Sequence, residues 1–118
     1  MAYYLGIDTS NYTTSCAIYD SEKNSFVMKK KLLPVKEGEL GLRQSEAVFH
    51  HTVQLPELMD ELFCDFDGEI SAVGVSDAPR RAEGSYMPCF LVGVNSARCI
   101  ASSTNKPVYK FSHQQGHI

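Results

Sequence analysis

This 118-residue chain has no closely paired cysteines. Cys16, Cys64, Cys89 and Cys99 form no CxxC, which excludes both a zinc knuckle and a thioredoxin-type redox pair. Each thiol lies in an apolar stretch, the setting of a buried, reduced cysteine in a cytosolic protein. No run approaches the ~18 apolar residues that a membrane span needs. Nor does Met1-Ala2-Tyr3-Tyr4-Leu5-Gly6 have the basic start and long apolar stretch of a signal peptide. The expected location is the cytoplasm, with no membrane partner. Positive charge is also scarce. The net charge of −3 argues against a nucleic-acid binder that is basic all over. Lys29-Lys30-Lys31 and Arg80-Arg81 are the only dense basic runs, and they read as a solvated strand edge and a solvated loop. There is no internal repeat or low-complexity tract.

What remains is the composition of one globular core. Residues 3–8 form a short apolar run ending in an acid, and 13–19 alternate with strand formers. Residues 25–33 give a third strand that stops before Pro34, so three strands form an antiparallel meander. A linker over 35–42 carries Gly38 and Gly41. The apolar spacing over 45–63 predicts a helix with Ser45 as N-cap and a kink or break near Leu55, because Pro56 lies inside it. A short buried strand over 70–75 follows, then a loop with Pro79 and Gly84. A helix over 90–102 has Gly93, Ser96 and Ala97 on a face able to approach the sheet closely. A fifth strand spans 108–111, and His113 to His117 would open a third helix. A meander followed by alternating units predicts an α/β fold, a five-stranded mixed sheet with flanking helices. This is the element order of the ribonuclease H-like lobe found in the actin, hexokinase and Hsp70 superfamily.

Three places carry candidate chemistry. His113 and His117, four apart in His113-Gln114-Gln115-Gly116-His117, share one face of a helical turn and can share one metal, which needs a third ligand. In Gly6-Ile7-Asp8-Thr9-Ser10-Asn11 a carboxylate ends a buried strand beside a hydroxyl-rich turn. That combination suits Mg²⁺ and phosphate, although a plain polar hairpin turn reads the same way. His50-His51, with Glu46 one turn earlier, is either a metal cluster or an ordinary helical pair. Asp77, ending the fourth strand, is either a functional residue or the entry to a loop.

Four stretches, GIDTSNYTTSCAIYD, GLRQSEAVFHH, AVGVSDAP with FLVGVNSARCIA, and KPVYKFSHQQGHI, follow one another as in a known family. The chain resembles the N-terminal lobe of the TsaD-type tRNA threonylcarbamoyladenosine synthase family, also called glycoprotease or O-sialoglycoprotein endopeptidase (peptidase M22). The resemblance covers essentially all 118 residues, and the HxxGH stretch is its most specific element. It implies that residues 1–118 are one actin-like lobe, a fragment lacking the second, with the catalytic cleft between the two. It further implies transfer of a threonylcarbamoyl group from its adenylate to adenosine next to the tRNA anticodon. His113 and His117 match the family's metal-binding histidines, for Fe or Zn, and its third ligand is an Asp of the second lobe. Asp8 would be catalytic, and Thr9, Ser10 and Asn11 would face an adenylate-type nucleotide. The implied partners are tRNA and the other proteins of the threonylcarbamoylation complex.

The departures are specific. The family's first turn usually reads GIETSCDET. Here Asp8 replaces the Glu, and Tyr12-Thr13 replaces the Asp-Glu pair. Neither can act as a carboxylate base at neutral pH. The GPGL segment is replaced by a longer, charged stretch containing Arg80 and Arg81. The pattern is that of a divergent paralogue, so a non-catalytic scaffold stands as the alternative. A metallopeptidase ranks last, because Gln114 supplies no general base. A lobe with one sheet face uncovered is expected to expose apolar surface and to form a homodimer through it.

Overall fold

The computed structural model describes residues 2–10, 12–34, 44–78 and 88–112. Seven elements follow in order: β1 (Tyr3–Asp8), β2 (Thr13–Asp20), β3 (Ser25–Leu32), α1 (Gln44–Phe63), β4 (Ile70–Ala78), α2 (Phe90–Thr104) and β5 (Val108–Ser112). They build one five-stranded sheet in the order β3-β2-β1-β4-β5. The meander pairs antiparallel, whereas β4 runs parallel to both β1 and β5. The mixed sheet expected from the element order is therefore present. The linker over 35–42, the loop with Pro79 and Gly84, and the third helix opening at His113 all lie outside the described residues.

The meander is held by local chemistry. Asp20 Oδ1 accepts from the backbone N–H groups of Glu22 and Lys23 at 3.0 and 3.2 Å, and Asn24 takes the left-handed conformation that turns β2 into β3. At its end α2 is closed by Asn105, also left-handed, while the Lys106 N–H bonds back to the Ala101 carbonyl at 2.9 Å.

Both helices lie on one face of the sheet, because one core joins them to it. Leu5, Ile7, Cys16, Ile18, Val73 and Val75 of the sheet pack with Leu55, Leu58 and Leu62 of α1 and with Val94, Ala97 and Ala101 of α2. A second, smaller cluster of Leu33, Ala47, Cys89 and Phe90 sits where β3 ends and both helices begin. Gly93 makes the close approach of α2 possible. A Cβ there would lie 3.0 Å from Thr9 Oγ1, 3.2 Å from Ile7 Cγ2 and 3.3 Å from Val75 Cγ2.

Three local expectations are corrected. Ser45 is not the N-cap, since α1 already starts at Gln44. The helix runs through Pro56 without a break. Proline removes the bond to the Thr52 carbonyl, but both residues are exposed, so water can satisfy that group. Finally β4 runs to Ala78, because pairing with β5 continues past Val75 through Ser76↔Phe111 and Ala78↔Ser112.

No described helix covers the opposite face of the sheet. By register it presents Tyr4, Gly6, Ala17, Tyr19, Phe26, Ala72, Gly74 and Tyr109 around a shallow apolar groove of about 330 Å³. Phe26 and Tyr109 are 64% and 63% exposed. Among the described residues no helix is long and apolar enough to cross a membrane.

All four cysteines are free. Cys16 and Cys89 are buried, whereas Cys64 and Cys99 are exposed, against the expectation that all four thiols lie inside. Burial, and then the charge of Glu61, pushes the Cys16 thiol up to about 11. Thiol labelling of the native protein at pH 8 is thus expected to modify Cys64 and Cys99 and to spare Cys16 and Cys89. The raised thiol also stabilises the fold below the ordinary cysteine pKa. That contribution is lost as pH rises towards 11, so alkaline unfolding should be eased by Cys16 in that window.

Candidate functional site

The carboxyl ends of the parallel strands β1 and β4 meet at the centre of the sheet, where open α/β sheets place their ligands. Asp8 ends β1 and lies opposite Ser15 of β2, which in turn faces Lys30 of β3. Ser76 follows the paired Ile7 and Val75 on β4 and is opposite Phe111 of β5. Strand alternation puts Asp8, Ser15, Lys30 and Ser76 in one polar row on the open face, above the apolar groove. The Ser76 hydroxyl is buried without a hydrogen-bond partner. Asp77, the neighbouring candidate, is half-buried at the register shift between Ser76 and Ala78.

The turn after Asp8 is built by its own side chains. Asp8 Oδ1 accepts the Ser10 N–H at 2.8 Å, and the Thr13 N–H closes onto the Ser10 carbonyl at 3.2 Å. Thr9, fully buried, points away from the open face. Its hydroxyl donates to the Cys89 carbonyl at 2.8 Å and accepts the Gly93 N–H at 3.0 Å. Those two groups, four residues apart, are natural partners in the first turn of α2, so Thr9 is inserted into a helical hydrogen bond. Of the residues expected to face a nucleotide, Ser10 is buried beside Asp8, while Asn11 lies outside the described residues. Tyr12, at one of the two positions where the resemblance expects an acid, is exposed.

The two adjacent histidines of α1 separate. His51 is fully buried, with Nδ1 2.8 Å from Thr14 Oγ1, whereas His50 is half-buried with its ring edge-on to Phe49 at 5.3 Å. Glu46 is exposed. His51 is thus the packed helical histidine of the two alternatives, and with Gln54 it forms a polar cluster that spacing did not reveal. A usable signal was present: Ala47, His51, Gln54, Leu55, Leu58 and Leu62 share the buried stripe of α1, and two of the six are polar.

His113 and His117 lie outside the described residues, as do Arg80 and Arg81. Two imidazoles suit Zn²⁺ or Fe²⁺ as a donor set, but a closed or catalytic site needs a third protein ligand. Among the described residues no three His, Cys, Asp or Glu side chains gather to hold a metal. A metal held by the histidine pair would take its remaining ligands from elsewhere. Lys29 to Lys31 lie on the edge strand β3, as a solvated edge predicts.

No protein-family model matches the chain. Curated relatives do. The tRNA N6-adenosine threonylcarbamoyltransferase of Archaeoglobus fulgidus is 30% identical over 115 residues, covering 97% of this chain and 33% of the relative. That of Sulfurihydrogenibium sp. is 32% identical over 120 residues, with the same coverage of both chains. A probable bifunctional tRNA threonylcarbamoyladenosine biosynthesis protein of Halobacterium salinarum is 25% identical over 97% of this chain and 20% of its own length. Among solved structures, YeaZ from Pseudomonas aeruginosa superposes with a TM-score of 0.64 at 16% identity, over 95% of this chain and 43% of that one. The fold is thus shared with YeaZ, and it is the five-stranded mixed sheet with flanking helices that the element order predicted. The chain spans about one third of the length of the threonylcarbamoyltransferases it matches. Over 97% of its length the chain is thus similar in sequence to about one third of the length of curated tRNA N6-adenosine threonylcarbamoyltransferases, and in fold to YeaZ.

Proposed function

We propose that this chain acts as the N-terminal lobe of a metal-dependent tRNA adenosine threonylcarbamoyltransferase-like protein, inactive without a second lobe. The observation that carries this reading is the match over 97% of the chain to relatives bearing that name. The polar row at the ends of β1 and β4 supports it. Asp8 provides the hard oxygen that a Mg²⁺-bound nucleotide prefers, and Thr9, Ser10 and Asn11 are the residues that would face that nucleotide. His113 and His117 would hold Fe or Zn, which would act on the carbamoyl or phosphate oxygens as a Lewis acid. The tRNA and the other threonylcarbamoylation proteins are its partners on this reading, and reduced Cys16 and Cys89 suit the cytoplasm.

Calorimetric titration with Mg²⁺-ATP tests the nucleotide half. The parent chain is expected to bind, and Asp8→Asn to bind about tenfold more weakly, the loss of one charge-assisted contact to the metal. Metal-free ATP should separate the two proteins much less. Equal affinities with Mg²⁺ present would remove Asp8 from the site.

Tyr12 and Thr13 favour a second reading, a non-catalytic scaffold of the same pathway, since they replace carboxylates. That reading requires neither parent nor variant to bind nucleotide. Either reading leaves the apolar face of Tyr4, Tyr19, Phe26 and Tyr109 to be covered, and we assign it to a homodimer of the lobe. Light scattering is expected to show a dimer that Phe26→Glu and Tyr109→Glu convert to monomer. A monodisperse monomer of the parent would refute that assignment.

A further inference from the structure

Thr14, His51, Gln54 and the Leu32 carbonyl form a buried chain of polar groups whose protons can be counted. Gln54 Nε2 donates to the Leu32 carbonyl at 3.2 Å. A carbonyl oxygen can be met only by a donor, so the Gln54 amide is fixed with Oε1 towards Thr14. Thr14 Oγ1 lies 3.0 Å from that Oε1 and has a single proton, which the acceptor takes. The same Thr14 oxygen is 2.8 Å from His51 Nδ1, and nothing remains there but its lone pair. The proton in that contact must therefore belong to the imidazole.

We infer that His51 is a positioning residue for the Asp8 turn and carries a proton on Nδ1. The turn from Thr9 to Thr14 is clamped at both ends. Thr9 ties one end to the start of α2, and Thr14 ties the other to the middle of α1. Both threonines are fully buried, and each hydroxyl donates once and accepts at least once. Between them the Ser10 and Tyr12 carbonyls receive the Thr13 and Leu33 N–H groups at 3.2 and 2.7 Å. A hydroxyl with one proton can keep both of its bonds only if the partner on its lone-pair side donates. The clamp on Thr14 thus depends on the proton at His51 Nδ1. A buried polar network whose donors and acceptors are matched in this way holds one geometry and disfavours others. The consequence for ligand binding rests on the reading that this turn faces the nucleotide, whereas the Nδ1 proton does not.

Long-range ¹⁵N–¹H correlation spectra of the imidazole nitrogens at pH 7 decide directly whether Nδ1 is protonated. His51 is expected to show a protonated, pyrrole-like Nδ1, and a pyridine-like Nδ1 would overturn the inference. His51→Asn keeps an N–H donor near the place of Nδ1 and should leave the Ser10 and Thr13 amide shifts close to those of the parent. His51→Leu removes the donor and should shift both amides and weaken Mg²⁺-ATP binding about tenfold or more. Should the leucine variant fail to fold, Thr14→Ser against Thr14→Val makes the same comparison. Unmoved turn amides in the folded leucine or valine variants would contradict the positioning role. If the parent binds no nucleotide, the functional reading fails, while the Nδ1 proton and the turn shifts still decide this inference.

Discussion

Phe90→Ala is expected to cost about 3–5 kcal/mol of stability. Phe90 is one of the largest fully buried side chains and fills the small cluster with Leu33, Ala47 and Cys89. That cluster is where the end of β3, the start of α1 and the start of α2 meet, and among the described residues only Val48 packs against its four buried side chains. The loss is amplified by location. Cys89, the residue before Phe90, offers the carbonyl to which Thr9 donates. A cavity there loosens the attachment of the Asp8 turn as well as the core. Thermal denaturation should show a midpoint lowered by roughly 12–20 °C, from about 4 °C per kcal/mol for a domain of this size. Phe90→Leu, which keeps most of the volume, should recover the larger part of that loss. A drop of only a few degrees for Phe90→Ala would mean that the cluster does not anchor the helices.

Gly93→Val is the second large effect, expected at about 3 kcal/mol and by the opposite mechanism. Glycine in a helix is ordinarily a cost of about 1 kcal/mol relative to alanine, so an exposed glycine there would gain from replacement. Gly93 faces the sheet, however. Its absent Cβ would already stand 3.0 to 3.3 Å from Thr9 Oγ1, Ile7 Cγ2 and Val75 Cγ2. Ile7 and Val75 are central core residues that have nowhere to move. The two further methyl groups of valine would push α2 off the sheet and separate the Gly93 N–H from the Thr9 hydroxyl. Asn95→Ala, at an exposed position two residues on, serves as the control and should change stability by less than about 0.5 kcal/mol. Denaturant midpoints of the two variants measure the difference. Gly93→Val within 1 kcal/mol of the parent would contradict the close approach of α2.

The elements that sequence made legible are those whose information is local. The alternation in β2, the short apolar run of β1, and Pro34 after the third strand each report on their own neighbours, and these strands form where expected. The same holds for Gly93 and Ala97, whose small size marked the face of α2 that meets the sheet. The errors came where a distant partner decides. Strand β4 outruns its apolar segment because β5, more than thirty residues away, continues to pair with it. Pro56 looked like a break, but its orientation towards solvent depends on which stripe of α1 is buried. The site followed the same rule. Asp8 was conspicuous as a carboxylate closing a buried strand. The roles of Thr9 and Thr14 were not, since their hydroxyl partners are 80 and 37 residues away along the chain. A threonine in a turn and another opening a strand are ordinary choices, and only the packing of both helices on one face makes them a clamp.

The metal half of the assignment is tested most directly by calorimetric titration of this chain with Zn²⁺ and Fe²⁺ under reducing conditions, beside His113→Ala and His117→Ala. The expected result is saturable binding by the parent that either substitution abolishes, with a dimer or added second-lobe protein supplying the missing ligand. Equal binding by all three proteins, or none by the parent, would contradict the placement of a metal half-site on His113 and His117.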